Sequence, residues 1–120
     1  MNERVKHYGL LLIRILLALA FVAAGSAKLA GVEMMVATYE TIGIGQWFRY
    51  LTGAIEVGSA ILLFVPGKQV WGAALLGCTM IGAVLAHLFI LGPGAIPAVV
   101  LGALSAIVLF AYRHQLPGVR

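Results

Sequence analysis

Apolar residues fill four long runs of this chain, at about 8–30, 47–65, 69–91 and 95–112, and polar residues gather in the gaps between them. A membrane-crossing helix needs about 20 mostly apolar residues, and each run meets or approaches that length. The gaps carry their own signals. "VPGKQ" places Pro66 and Gly67 between the second and third runs, and "LGPGAIP" places Gly92, Pro93 and Gly94 between the third and fourth. Both are tight turns, so the second, third and fourth helices should be antiparallel neighbours. Pro97 fits the first turn of the last helix, where its missing N–H costs little. The gap at 31–46 is longer. Its "VEMMVATYETIGI" mixes Met, Val and Tyr with Glu33 and Glu40, which suits a short helix lying in the membrane interface. The expected fold is all-α: one domain over residues 1–120, a four-transmembrane-helix bundle with a short interfacial segment between the first and second helices.

Composition strengthens this reading. The chain of 120 residues is 62% hydrophobic and 10% charged, against about 25% charged in a typical soluble domain. The formal charge of +4 comes from residues scattered near the ends of runs, with no basic cluster of the kind that binds nucleic acid. Outside the spans, Arg4, Lys6, Lys68, Arg113 and Arg120 fall on one side. Lys28 and Arg49 fall on the other, at span edges, near Glu33 and Glu40. The positive-inside rule then places both termini in the cytoplasm. The N-terminus imitates a signal peptide, with Arg4, Lys6, an apolar run and "AAGSA". Arg14 interrupts that run, and its length suits a retained first helix. Trp47, Phe48, Tyr50, Trp71 and Tyr112 lie near span ends, as an aromatic belt requires.

Cys78 is the sole cysteine. It excludes an internal disulfide and a CxxC pair, and in an apolar run it reads as a small hydrophobe, with an intermolecular thiol as the alternative. Ala98, Gly102 and Ala106 on the last helix, and Gly82 and Ala86 on the third, recur every four residues. They predict close helix contacts.

Four ionisable residues interrupt the apolar runs or their edges: Arg14, Lys28, Glu56 and His87. A charge at mid-membrane costs about 2.5–3.5 kcal/mol on the insertion scale, so these groups should face one another inside the bundle. At ~100° per residue, Arg14, Phe21, Gly25 and Lys28 project within ~60° of one another on the first helix. Counting at ~1.5 Å per residue puts Arg14 roughly 9 Å in from one side and Glu56 roughly 14 Å in from the other, leaving an axial gap of about 6–8 Å. A long Arg side chain bridges that distance, so an Arg14–Glu56 ion pair is the expectation. Lys28, close to the interface, reads as a snorkelling side chain. Thr52, Gly53, Ser59 and Ala60 flank Glu56 at helical neighbour positions, all small, leaving room for a partner side chain or a ligand head group. His87 sits at a depth like that of Lys28 and reads as a packing histidine. His7 and His114 belong to the opposite side, so no convergent metal set is expected. No glycine-rich nucleotide loop is present, and Ser26, Ser59 and Ser105 lack the partners of a nucleophile. Neither a catalytic residue nor an intrinsic cofactor is predicted.

The run "RILLALAFVAAGSAKL", with Arg14, Phe21, Gly25, Lys28 and Leu29, followed by "LTGAIEVGSAILLF" with Glu56 and by His87 in the third helix, resembles the DoxX family over nearly the whole chain. The resemblance implies a small four-helix protein of the prokaryotic inner membrane. It further implies an association with quinone-linked oxidoreductase complexes or oxidative-stress defence, with membrane or soluble redox subunits and lipids as partners. Three functions compete. The first is a non-catalytic subunit or quinone-binding module, with quinone hydrogen-bonded by His87, Lys28 or Glu56. The second is a small proton-coupled transporter, weakened by Glu56 falling in the second helix and by a fixed topology. The third is a scaffold whose polar groups are structural. Four short helices offer little interior, so a homo-oligomer or larger complex also fits.

Overall fold

The structure is a computed structural model that describes residues 2–117. Arg120, counted above in the charge asymmetry, lies outside the described residues. The described chain is all helical: α1 Glu3–Ala30, α2 Glu33–Ile42, α3 Gln46–Leu62, α4 Gln69–Ala86 and α5 Ile96–Ala111, with a π-helical turn at His87–Leu91 and a 3₁₀ turn at Arg113–Gln115.

Local chemistry sets most boundaries. α1 begins five residues before the apolar run because Asn2 caps it. The Asn2 side chain accepts a hydrogen bond from Arg4 N at 2.7 Å, and Glu3 sits in the first turn, where a carboxylate suits the positive helix end. Gly31, at φ 73°, ends α1 in the left-handed region, a conformation that costs a glycine little. α3 stops at Leu62, three residues short of the expected 65, and turns occupy Leu63 to Lys68. The third run continues to Leu91, but its last turn is π-helical rather than α-helical.

α1 packs on α3, α3 on α4, α4 on α5, and α5 back on α1, closing a ring of four helices, while α2 lies against α3 and the π-helical turn. Leu17, Phe21, Ala60, Leu63, Leu76 and Val108 fill the centre of the ring. The closest approaches occur at glycines. A Cβ on Gly25 would fall 2.7 Å from Val57 Cγ2 and 2.8 Å from the Gly53 carbonyl oxygen, and one on Gly72 would fall 2.7 Å from the Ser59 carbonyl oxygen. These contacts differ from the expected small-residue faces. Ala98 is buried and Gly102 approaches Met80, as expected, but nothing among the described residues lies within 4 Å of a Cβ placed on Gly82. Gly82 and Cys78 are exposed on the outer side of α4. Cys78 faces away from the core residues Ala73, Leu76 and Met80.

α1 and the run from Gln69 to Leu91 are long and apolar enough to cross a membrane; α5 is apolar but has 16 residues, and α3 has 17 and carries Arg49 and Glu56. The outer surface between the polar ends of the bundle is largely apolar, with Leu19, Ile81, Phe89 and Phe110 all mostly exposed. Such a continuous surface is rare on soluble monomers.

Candidate functional site

The Gly25–Gly53 contact sets the register of α1 against α3. Gly53 lies between Gly25 and Lys28 of α1, and Gly25 lies between Gly53 and Val57 of α3. At 1.5 Å per residue this puts Glu56 about 6–9 Å along the axis from Lys28 and about 12–15 Å from Arg14. Helical side chains lean toward the N-terminus of their own helix. In this antiparallel pair Lys28 and Glu56 lean toward each other, whereas Arg14 and Glu56 lean apart. The outcome is an ion pair between Lys28 Nζ and Glu56 Oε1 at 2.7 Å, with Glu56 only 2% exposed and Lys28 12%. The expected Arg14–Glu56 pair does not form, and Lys28 does not snorkel.

Arg14 instead serves the far end of α3. Its Nη1 donates to the Leu63 carbonyl oxygen at 3.0 Å, and its guanidinium lies 5.1 Å from the Phe64 ring centroid and 5.7 Å from that of Tyr112. Arg49, assigned from the sequence to a span edge, is buried and does the converse. Its Nη1 donates to the Lys28 carbonyl oxygen at the end of α1, its Nε donates to Gln46 Oε1 at 2.7 Å, and it stacks 4.3 Å from the Tyr50 ring centroid. Each helix of the pair thus supplies an arginine to a carbonyl at the other's C-terminal end, where helix carbonyls run short of partners.

Beside the ion pair, a pocket of ≈ 370 Å³ opens between α3 and α4 under α2. Lys28, Glu56, Tyr39 and Thr52 form its polar side, Thr79 of α4 also lines it, and Leu51, Ile55, Leu75 and Ala83 are among its apolar walls. Tyr39, on α2, donates its hydroxyl to Thr52 Oγ1 at 2.9 Å, and Thr52 donates in turn to the Phe48 carbonyl oxygen. Both hydroxyl protons are therefore committed. Lys28 has ammonium protons beyond the one directed at Glu56, and Glu56 has a second carboxylate oxygen. The pocket can offer both a cationic donor and an anionic acceptor to one bound group.

Of the four residues singled out from the sequence, the fold brings Lys28 and Glu56 together and leaves Arg14 and His87 apart. His87 opens the π-helical turn and does not line the pocket. Its ring packs beside Gly94, and its Nδ1 is buried with no hydrogen-bond partner among the described residues. The expected small neighbours of Glu56 divide their roles. Gly53 is used for helix contact, Ser59 and Ala60 are buried behind Glu56, and Thr52 reaches the pocket. Two residues escaped the sequence reading. Arg49 had a signal, since it lies seven residues before Glu56 on the same helical face. Tyr39 had none, because nothing in its own segment shows that α2 folds over α3.

The profile of the DoxX-like family matches residues 12–110, a span that runs from within α1 into the last turn of α5 and holds the pocket. The chain belongs to the DoxX-like family. This membership and the apolar outer surface together make it a DoxX-like membrane protein. The chain is also similar to the "Putative oxidoreductase CatD" of Bacillus subtilis (strain 168), with 30% identity over 78 residues. That match covers 64% of this chain and 58% of the relative. No solved structure gives a significant match.

Proposed function

We propose that this DoxX-like protein crosses the membrane four times with both termini in the cytoplasm, and that it acts as a non-catalytic quinone-binding module of a membrane oxidoreductase or oxidative-stress complex. The observation that carries the reading is the pocket that places a buried Lys28–Glu56 ion pair against apolar walls. A quinone has carbonyl oxygens that accept from an ammonium. Its reduced form has hydroxyls that donate to a carboxylate. Lys28 and Glu56 can therefore hold either state, while the ring rests on Leu75 and Ile55. The oxidoreductase name of the Bacillus subtilis relative points the same way. Electrons would come from a partner subunit.

The topology is supported by charge. Arg4, Lys6, Lys68 and Arg113 gather where α1 begins, α3 turns into α4 and α5 ends, while Glu33 and Glu40 of α2 lie at the opposite end. α3 and α5 fall below the usual 20 residues, a shortfall that local bilayer thinning accommodates at a fraction of a kcal/mol per ångström.

Binding of a ubiquinone analogue with a ten-carbon tail to the protein in lipid nanodiscs tests the site. Glu56→Gln should weaken binding about tenfold or more, since a hydrogen bond to a charged group contributes roughly 1.5–3 kcal/mol. The double variant Lys28→Met, Glu56→Leu removes both charges without stranding either, and should stay folded while losing the ligand. Unchanged affinity in that folded double variant would sink the proposal and leave the ion pair as a structural lock.

A further inference from the structure

A second cavity, of ≈ 510 Å³, lies on the other flank of α4, in the groove between α4 and α5. Ala74, Gly77, Val84, Ala98, Gly102 and Ala106 are among its lining residues, and no charged or hydroxyl side chain among the described residues lines it. Both cavities fall within the ~300–1,000 Å³ typical of ligand pockets. They share a wall on α4. Cys78 and Met80 line both, and Gly82 lines the polar one.

The route between them runs over the outside of α4. At ~100° per residue, Cys78 and Gly82 lie within ~40° of one another and roughly opposite the buried Ala73, Leu76 and Met80. Met80 is the inner partition. Cys78 and Gly82 form a low point on the outer ridge, flanked by the larger, exposed Leu75, Ile81 and Leu85. Gly82 presents no Cβ, and nothing among the described residues would meet one within 4 Å. A chain leaving the polar pocket can therefore cross α4 at this saddle and descend into the apolar groove.

We propose that one long-tailed amphiphile occupies both cavities, its polar head at Lys28 and Glu56 and its hydrocarbon tail laid across Cys78 and Gly82 into the α4–α5 groove. This rests on the quinone-binding reading and narrows it: the site selects membrane-resident quinones with long tails over small, water-soluble ones. The head supplies orientation through charge-assisted hydrogen bonds. It also holds the first tail carbons at the saddle, so that entering the groove becomes an intramolecular step.

The test compares two probes, the ubiquinone analogue with a ten-carbon tail and its tail-less parent, on the wild type, Gly77→Phe and Ala106→Phe in nanodiscs. Both positions line the apolar groove and not the polar pocket. Ala106 is exposed, and a Cβ on Gly77 meets nothing within 4 Å among the described residues, so the variants retain the fold. Thermal unfolding checks this. The groove variants should weaken the tailed probe about five- to tenfold and leave the tail-less one unchanged. That scale reflects lost dispersion contacts in a matched groove rather than transfer from water, because surrounding lipid is as apolar as the groove. Comparing each variant with wild type for the same probe cancels the probe's partition into lipid. If both probes bind and the groove variants affect neither, the head site stands and the tail route is wrong. If the wild type binds neither probe, both the route and the quinone reading fall.

Discussion

At the scale of single residues, the decisive feature is which basic group meets Glu56. Lys28 does so because its side chain and that of Glu56 lean toward each other across the antiparallel pair, while Arg14 leans away toward Leu63. The consequence is measurable. Glu56→Ala should cost about 3–5 kcal/mol of stability, because it leaves a buried ammonium uncompensated, whereas replacing both charges with apolar residues should recover most of that loss. A double-mutant cycle in detergent should give a coupling energy of about 1 kcal/mol or more for Lys28 with Glu56 and near zero for Arg14 with Glu56. Strong Arg14–Glu56 coupling would contradict the arrangement. The shared face of Arg14, Phe21, Gly25 and Lys28 was legible in the sequence, because the angular period of a helix is fixed. The pairing was not, because it depends on the register between two helices and on the direction each side chain leans. The Gly25–Gly53 contact sets that register, and neither glycine advertises its partner.

Among elements, the turns were the most legible part of the chain. Pro66, Gly67, Pro93 and Gly94 marked the breaks around α4, and the short helix between the first two spans lies where its mixed polar and apolar residues implied. The early start of α1 depends on the Asn2 cap, and the π-helical turn at His87–Leu91 carries no proline or glycine within it to announce it. Helix contacts were misread where small residues are plentiful, since spacing alone cannot say which glycines face a neighbour. Two substitutions separate the cases. Gly25→Val should destabilise by about 1–3 kcal/mol or more, as overpacking does, because its Cβ meets backbone. Gly82→Ala should be neutral or stabilising by up to about 1 kcal/mol, the propensity difference in an open helix position. Thermal unfolding of the two variants in one detergent distinguishes them, and equal losses would show that the α1–α3 contact is looser than described.

For the whole molecule, the proposed orientation puts the α3–α4 turn in the cytoplasm and α2 on the outer side. In a Cys78→Ser background, a membrane-impermeant maleimide should label Thr41→Cys in intact cells and Lys68→Cys only after permeabilisation. Both positions are exposed. The reverse pattern would invert the topology while leaving the helical bundle intact. The proposed orientation rests on the summed placement of Lys and Arg along the chain, information that the helices themselves do not hold.

The exchanged arginines of α1 and α3 bear on how the chain enters the membrane as it is made. α3 alone would present Arg49 and Glu56 to lipid, at roughly 2.5–3.5 kcal/mol for each charge placed centrally. Its partners for both groups, the Lys28 carbonyl and the Lys28 ammonium, stand on the helix synthesised before it. In the proposed four-crossing topology α1 serves its successor as an internal chaperone and the two enter as one hairpin, so a chain lacking residues 2–30 should leave α3 stalled at the membrane surface.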